Sequence, residues 1–338
     1  MSFRNKILHW LGLEIRTHIK VYQGIGGAEQ LEIFGHVLDR GPLPLTKYSW
    51  FPLFNMFSLM RLFMVKPREG AAVQLTWEGQ KVSTLTESDG FFHLQWKPEV
   101  MPKAGDHVVE VIVTNVEESP VTRTMGVVII PHRSQYGCIS DIDDTFLVSH
   151  SASLFKRLHV LFTRNARTRK PFAGVVNHYQ LLSDAANKGR MPRPFFYVSS
   201  SEWNLYAYIR EFCRMHGLPN GVFLLSQLKP LRLLLKSGQQ KHATKFTRIS
   251  RILMHYPHMR FILLGDDSQE DPHIYEAITK HFTAQIIAVY LRNVRDSRYA
   301  ATQEVAGIIV SRGIPCCYFK HSSEAIAHSK EIGLISST

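Results

Sequence analysis

Four cysteines in 338 residues, Cys138, Cys213, Cys316 and Cys317, are too few for a disulfide-stapled scaffold, and none stands in a CxxC pair or at a zinc-ligand spacing. Buried free thiols in a reducing, cytoplasmic compartment are the expectation. Long apolar runs are missing too. The most apolar stretch, FPLFNMFSLMRLFMV at Phe51–Val65, carries Arg61 and falls short of the ~20 residues a bilayer span requires. It reads as a buried or interfacial helix, and no transmembrane helix is expected. In MSFRNKILHWLGLEIRTHIK the residues Arg4, Lys6, His9, Glu14 and Arg16 break every apolar run, so no secretory signal is expected either. Phe3, Ile7, Leu8, Leu11 and Ile15 recur there at helical spacing, which leaves two readings open: a helix docked on the protein's own core, or one lying in a membrane interface. No HExxH motif or paired histidine spacing supports zinc catalysis. The GIGG at Gly24–Gly27 has Glu29 where a dinucleotide loop needs its third glycine. No repeat of fixed period is present. Acid is in deficit, with Lys plus Arg at 40 against Asp plus Glu at 28, and the +12 balance favours anionic partners: phosphorylated metabolites, nucleic acid or an acidic membrane surface. A hydrophobic share of 45% with 11% aromatics excludes a disordered chain.

The rhythm of what is present changes once along the chain. From Leu31 to Ile130 the period is mostly two, in LEIFGHV, VQLTW, FFHLQW and HVVEVIV, with SDG at Ser88–Gly90 as a turn between strands. This predicts an antiparallel β-sandwich over residues 21–132, with a helical insertion at about 45–66, behind an amphipathic segment at 1–20. Beyond Pro131 short apolar strands alternate with helical stretches. The strands are YGCIS, RPFFYVS, GVFLLS, RFILLG and QIIAVYL, and EWNLYAYIREFCRMHG, ATKFTRISRILMHYP and PHIYEAITKHF are the helices between the later ones. Residues 133–338 therefore read as an α/β domain with a doubly wound parallel sheet.

Such sheets put ligands at the carboxyl ends of their strands. Here the first strand ends in DIDDT with Asp141, Asp143 and Asp144, the second in the serines Ser199, Ser200 and Ser201, and the fourth in GDD with Asp266 and Asp267, followed by Asp271. Lys245 opens the helix ahead of that fourth strand. Singly each is commonplace: an acidic loop, a turn, a surface lysine. In this order on these strand ends they form one constellation, which resembles the haloacid dehalogenase (HAD) superfamily of phosphotransferases. DIDDT, NARTRKPFAGV, FFYVSSSEWNLY, TKFTRI and LLGDDSQEDPHIY resemble more narrowly the actin-patch-protein type of phosphatidate phosphatase catalytic domain. Glu202 stands where that family implies a small residue or proline after the serines.

The chemistry can be argued from the residues as well. Asp141 is the candidate nucleophile, since a carboxylate can attack phosphorus in line and divide hydrolysis into two easier steps. Asp143, two residues on, fits the general acid and base. Mg²⁺ prefers carboxylate, water and phosphate oxygens, and Asp141, the Asp143 carbonyl and Asp266, supported by Asp267 or Asp271, would supply its protein ligands. Cation and Lys245 together would offset the clustered acids. Lys245 and Ser199, with backbone donors at Ser200 and Ser201, would hold the phosphoryl oxygens. Thr145 would fix the turn through a bond to backbone.

The connection after the first strand, at about 146–190, is far longer than usual and reads as a flap over the nucleophile. It carries Arg164, Arg167 and Arg169 among apolar residues, expected to face an anionic head group and a greasy tail; a solvated basic helix is the plain alternative. The leading expectation is a Mg²⁺-dependent phosphatidate phosphatase, peripheral at an anionic membrane surface, forming diacylglycerol and phosphate through an aspartyl-phosphate. The alternatives are the same chemistry on a soluble phosphomonoester or a nucleic-acid end, and a basic membrane-binding protein with an inert acid cluster. Few aromatics can be assigned to base stacking, which weighs against nucleic acid. No protein partner can be inferred.

Overall fold

The computed structural model describes residues 17–40, 65–115, 119–132, 136–142, 171–184, 192–226 and 241–336. The chain forms two compact units that divide between Ile130 and Pro131, two residues ahead of the expected boundary.

In the first unit the strands are β1 (His18–Val21), β2 (Gly24–Gly26), β3 (Leu31–Arg40), β4 (Lys66–Pro67), β5 (Ala72–Trp77), β6 (Gln80–Leu85), β7 (Phe91–Trp96), β8 (Gly105–Thr114) and β9 (Pro120–Ile130). They join by hydrogen bonds in the order β1-β3-β2-β9-β8-β5-β6, with β4 and β7 also on β3, and every pair is antiparallel except β2 with β9. Alternation of apolar and polar residues along β5 and β7 turns Val73, Leu75, Phe92 and Leu94 inward. Trp77 and Trp96 close the same core with ring centroids 5.7 Å apart.

One expectation changes here, and one motif gains a role. His18–Lys20, read as the end of an amphipathic segment, pair as strand β1 with β3, because the apolar Ile19 and Val21 pack against the sheet's core. The GIGG, discarded as a cofactor loop, supplies β2. A Cβ at Gly24 would lie 2.3 Å from the Glu32 carbonyl oxygen and one at Gly26 2.3 Å from the Leu31 side chain, so only glycine lets the strands pass this closely. The helical insertion at about 45–66 and the apolar pattern at 3–15 fall almost wholly outside the described residues.

The second unit contains β10 (Gly137–Asp141), α1 (Val175–Asp184), β11 (Phe195–Glu202), α2 (Tyr206–His216), β12 (Gly221–Ser226), α3 (Lys241–His255), β13 (Phe261–Asp266), α4 (Asp271–His281), β14 (Ile286–Arg292), α5 (Tyr299–Ser311), β15 (Cys316–Phe319) and α6 (Ser322–Glu331). Its sheet has the order β12-β11-β10-β13-β14-β15 and is parallel throughout. β10, β11 and β13 are buried along their whole length, as central strands covered on both faces must be. β15 is a sixth strand that the sequence reading passed over, since CCYF is short and lies at the sheet edge. Chain order reverses between β10 and β13, so a crevice opens beyond the carboxyl ends of those two strands.

Candidate active site

Register brings the strand-end residues to one level. Asp141 pairs with Val198 and Ser140 with Leu264, so Ser199 on β11 and Asp266 on β13 flank the tip of β10. Asp271 opens α4, where a carboxylate suits the helix N-terminus and Pro272 costs no helical hydrogen bond. Lys245 lies in the second turn of α3, and α3 packs on β11 and α4. Its ammonium is 2.7 Å from Asp141 Oδ1 and also donates to Asp271 Oδ1. The three side chains are 7%, 2% and 1% exposed, so water hardly screens them. Burial works against the charge of Lys245, but the carboxylates of Asp141 and Asp271 outweigh it and hold its pKa above the ordinary lysine value.

Asp141, Asp266 and Asp271 each offer a carboxylate oxygen, all within 4.8 Å of one another. Among the described residues, the Lys245 ammonium contacts Asp141 and Asp271, and the Arg292 guanidinium acts electrostatically on Asp266. Asp271 Oδ2 is buried and receives no hydrogen bond. Three converging hard oxygen donors, one of them on a carboxylate with an unbonded buried oxygen, fit a divalent cation such as Mg²⁺. Close packing fixes the cluster: a Cβ at Gly265 would come 2.8 Å from Asp271 Oδ2 and 2.7 Å from the Tyr275 ring.

The other expected site residues divide. Asp267 is turned to a different task. Its Oδ1 accepts the N–H groups of Val294 and Arg295 at 2.7 and 3.0 Å, and its Oδ2 accepts the Tyr318 hydroxyl at 2.6 Å. It ties the loop after β14 to the end of β13 and stands outside the three-carboxylate cluster, because its lone pairs serve those donors. Asp266 Oδ1 accepts the Ser268 N–H at 2.6 Å, which steers that carboxylate. Ser199, Ser200 and Ser201 are buried in β11, and Ser199 Oγ accepts the Ser201 N–H at 2.9 Å. Glu202 is buried at the end of the same strand and pairs in register with Ser226. Asp143, Thr145, Arg164, Arg167 and Arg169 lie outside the described residues.

Two supports were not foreseen. Ser140 Oγ donates to the Asp141 carbonyl at 2.7 Å and accepts the Tyr179 hydroxyl at 2.8 Å, so α1 holds the strand that carries Asp141 from one side. Nothing local in VVNHYQLLSD marks Tyr179 for this. Arg248, three residues after Lys245 on α3, donates to the Ser199 carbonyl at 3.2 Å. Its spacing in TKFTR was the available signal.

A parallel α/β sheet with buried carboxylates and a lysine at its switch point defines a carboxylate–cation site of the sort that handles phosphoryl groups. Residues 136–293 match the family model described as Phosphatidate phosphatase APP1, catalytic domain, so this segment is similar to that family's domain. Phosphatidate phosphatase APP1 of Saccharomyces cerevisiae is 27% identical over 160 residues, which cover 46% of this chain and 25% of that protein. The chain thus spans about a quarter of the length of that relative. Among solved structures, an immunoglobulin-like domain of the M. primoryensis ice-binding adhesin aligns at 10% identity and TM-score 0.19, over 35% of this chain and 99% of the other. A carbohydrate acetylesterase from Xanthomonas citri aligns at 7% identity and TM-score 0.33, over 94% and 75%. At these scores neither likeness bears on fold or function.

Proposed function

We propose that this chain is a phosphoric monoester hydrolase that converts phosphatidate to diacylglycerol and phosphate on a HAD-like, doubly wound domain, with the β-rich unit forming a sandwich ahead of it. The observation that carries this reading is the buried Asp141–Lys245–Asp271 contact beside Asp266 at the switch point, within the segment that matches the family.

Asp141 attacks phosphorus in line, and the bond from phosphorus to the glycerol oxygen breaks. Asp143 gives its proton to the departing oxygen, then takes one from the water that attacks the acyl phosphate, releasing phosphate and restoring Asp141. Lys245 lowers the cost of bringing an anionic phosphoryl group against a carboxylate, being already in contact with the nucleophile. Ser199 Oγ, which accepts the Ser201 N–H, and the Ser200 amide donate to phosphoryl oxygens. Asp141, Asp266 and Asp271 would hold Mg²⁺, assisted by the Asp143 carbonyl; bound there, the ion neutralises charge on the phosphoryl oxygens. Arg164, Arg167 and Arg169 would hold the protein at an anionic, cytoplasmic membrane surface, as a peripheral protein. Among the described residues no helix is long and apolar enough to cross a membrane.

The test is phosphate release from phosphatidate in mixed micelles beside glycerol 3-phosphate, a nucleotide and an aryl phosphate, each with Mg²⁺ or with chelator. Mg²⁺-dependent release with phosphatidate preferred is expected. Preference for the soluble esters would transfer the assignment to a soluble substrate, and release from none would refute the phosphatase reading.

A further inference from the structure

β11 and β12 pair up to Val198 with Leu224 and resume at Glu202 with Ser226. Three residues of β11, Ser199 to Ser201, therefore face one of β12, and the ladder cannot serve all their backbone groups. This interruption falls on the residues proposed to hold the phosphoryl group. Contacts among the described residues hold the segment from within and from outside. Ser199 Oγ takes the Ser201 N–H within the segment. From outside, Arg248 Nη1 donates to the Ser199 carbonyl at 3.2 Å, and Nη2 reaches Ser226 Oγ on β12 at 3.4 Å.

Arg248 is half-buried and, among the described residues, has no carboxylate within ion-pair reach. Burial lowers its pKa to about 10, which still leaves it charged at neutral pH. A cation held without an ion pair is costly unless its donors are used. Here they are used on the two strand ends. The planar guanidinium can span two acceptors on neighbouring strands, which the point charge of an ammonium does not do. At i and i+3 on one helix face, Lys245 and Arg248 divide the work: the first meets the carboxylates, the second the broken strand.

We infer that Arg248 is a positioning residue for the phosphoryl site: it pins the Ser199 carbonyl across the break between β11 and β12 and so fixes the direction of the Ser199–Ser200 peptide and of the donors that follow it. The carbonyl and the next N–H of a planar peptide point opposite ways. Holding the Ser199 oxygen towards α3 therefore turns the Ser200 N–H away from α3. This inference rests on the phosphatase reading for what the donors meet, and on the geometry alone for the pinning.

The full chain is tested as Arg248→Ala and Arg248→Lys, with circular dichroism and melting as folding controls. Hydrogen exchange in a peptide covering 195–202 should rise in both variants, while that in 261–266 stays as in the parent. With an aryl phosphate, kcat should fall about tenfold or more, short of the ~10²–10³-fold cost of deleting a transition-state donor outright, with KM changed much less. Tens of millimolar guanidinium should restore part of the kcat of Arg248→Ala, where equal sodium chloride does not. Unchanged exchange at 195–202 in a folded variant overturns the pinning. Raised exchange with unchanged kcat, or a loss expressed wholly in KM and in weaker inhibition by inorganic phosphate, overturns the positioning role, the latter in favour of direct anion binding. A parent inactive on every phosphate ester, with exchange still raised in the variants, refutes the phosphatase reading and with it the catalytic part of the inference. Should Arg248→Ala fail to fold, Arg248→Lys carries the same measurements.

Discussion

Replacing Lys245 with methionine removes the cation from the site while nearly keeping its volume. In the parent, one ammonium bonds two carboxylates, and all three side chains are less than a tenth exposed. Removing one partner of a buried ion pair costs ~3–5 kcal/mol, because the remaining charge is left uncompensated in a poorly screened space. At ~2–4 °C per kcal/mol for a unit of this size, Lys245→Met should melt ~6–20 °C below the parent in chelator. The variant removes one positive charge from beside three carboxylates, so a divalent cation should bind it more tightly. At a hundred times its dissociation constant such an ion adds ~2.7 kcal/mol. Mg²⁺ should therefore raise the melting temperature of the variant more than that of the parent, although the variant should be catalytically crippled. Thermal melting followed by scanning calorimetry, with Mg²⁺ and with chelator, measures both shifts. A variant that melts within about 1 °C of the parent in chelator, with no larger response to Mg²⁺, would refute the charge accounting of the site.

Asp141→Asn should abolish turnover of every phosphate ester while melting falls less than in Lys245→Met, since the amide keeps the shape and Lys245 retains Asp271 as its ion-pair partner; residual turnover above a few per cent would remove Asp141 as nucleophile. Gly265→Ala should cost ~1–3 kcal/mol and lower activity further, because its Cβ enters the space of Asp271 Oδ2 and Tyr275; urea denaturation and initial rates measure the two effects, and a neutral substitution would contradict the packing. Burial, aided by Lys20 at His36 and by Arg292 and His328 at His178, lowers both histidine pKa values to about 3, against an ordinary 6.5. The unfolded chain then takes up protons that the folded one refuses, so stability present above pH 6.5 is lost as pH falls towards 3, by roughly 2 kcal/mol per histidine between pH 6.5 and 5. Urea midpoints that stay level across that range would exclude the buried, neutral state of both rings.

Much of the site was legible because its signals are local. An apolar run that stops on an acid marks a strand tip, which is how YGCIS with Asp141 and FILLG with Asp266 announce themselves. Lys245, near the start of an amphipathic stretch, could be placed in the early turns of a helix from spacing alone. The period of two between Leu31 and Ile130 likewise marked the β-rich unit, since alternation is a property of neighbouring residues. Among the described residues, tertiary structure decided which acids meet. Asp266 and Asp267 are adjacent in GDD, and side chains that alternate across a strand end point apart, so that one joins Asp141 and Asp271 while the other holds the amides of Val294 and Arg295. The GIGG, set aside as a cofactor loop for want of a third glycine, carried no other local signal: what requires glycine at Gly24 is the Glu32 carbonyl of β3, remote in the pattern and near only in space. Arg248 and Tyr179 act through a carbonyl and a hydroxyl on other elements, and a local pattern that places a residue on a helix does not state which group of a distant strand it meets.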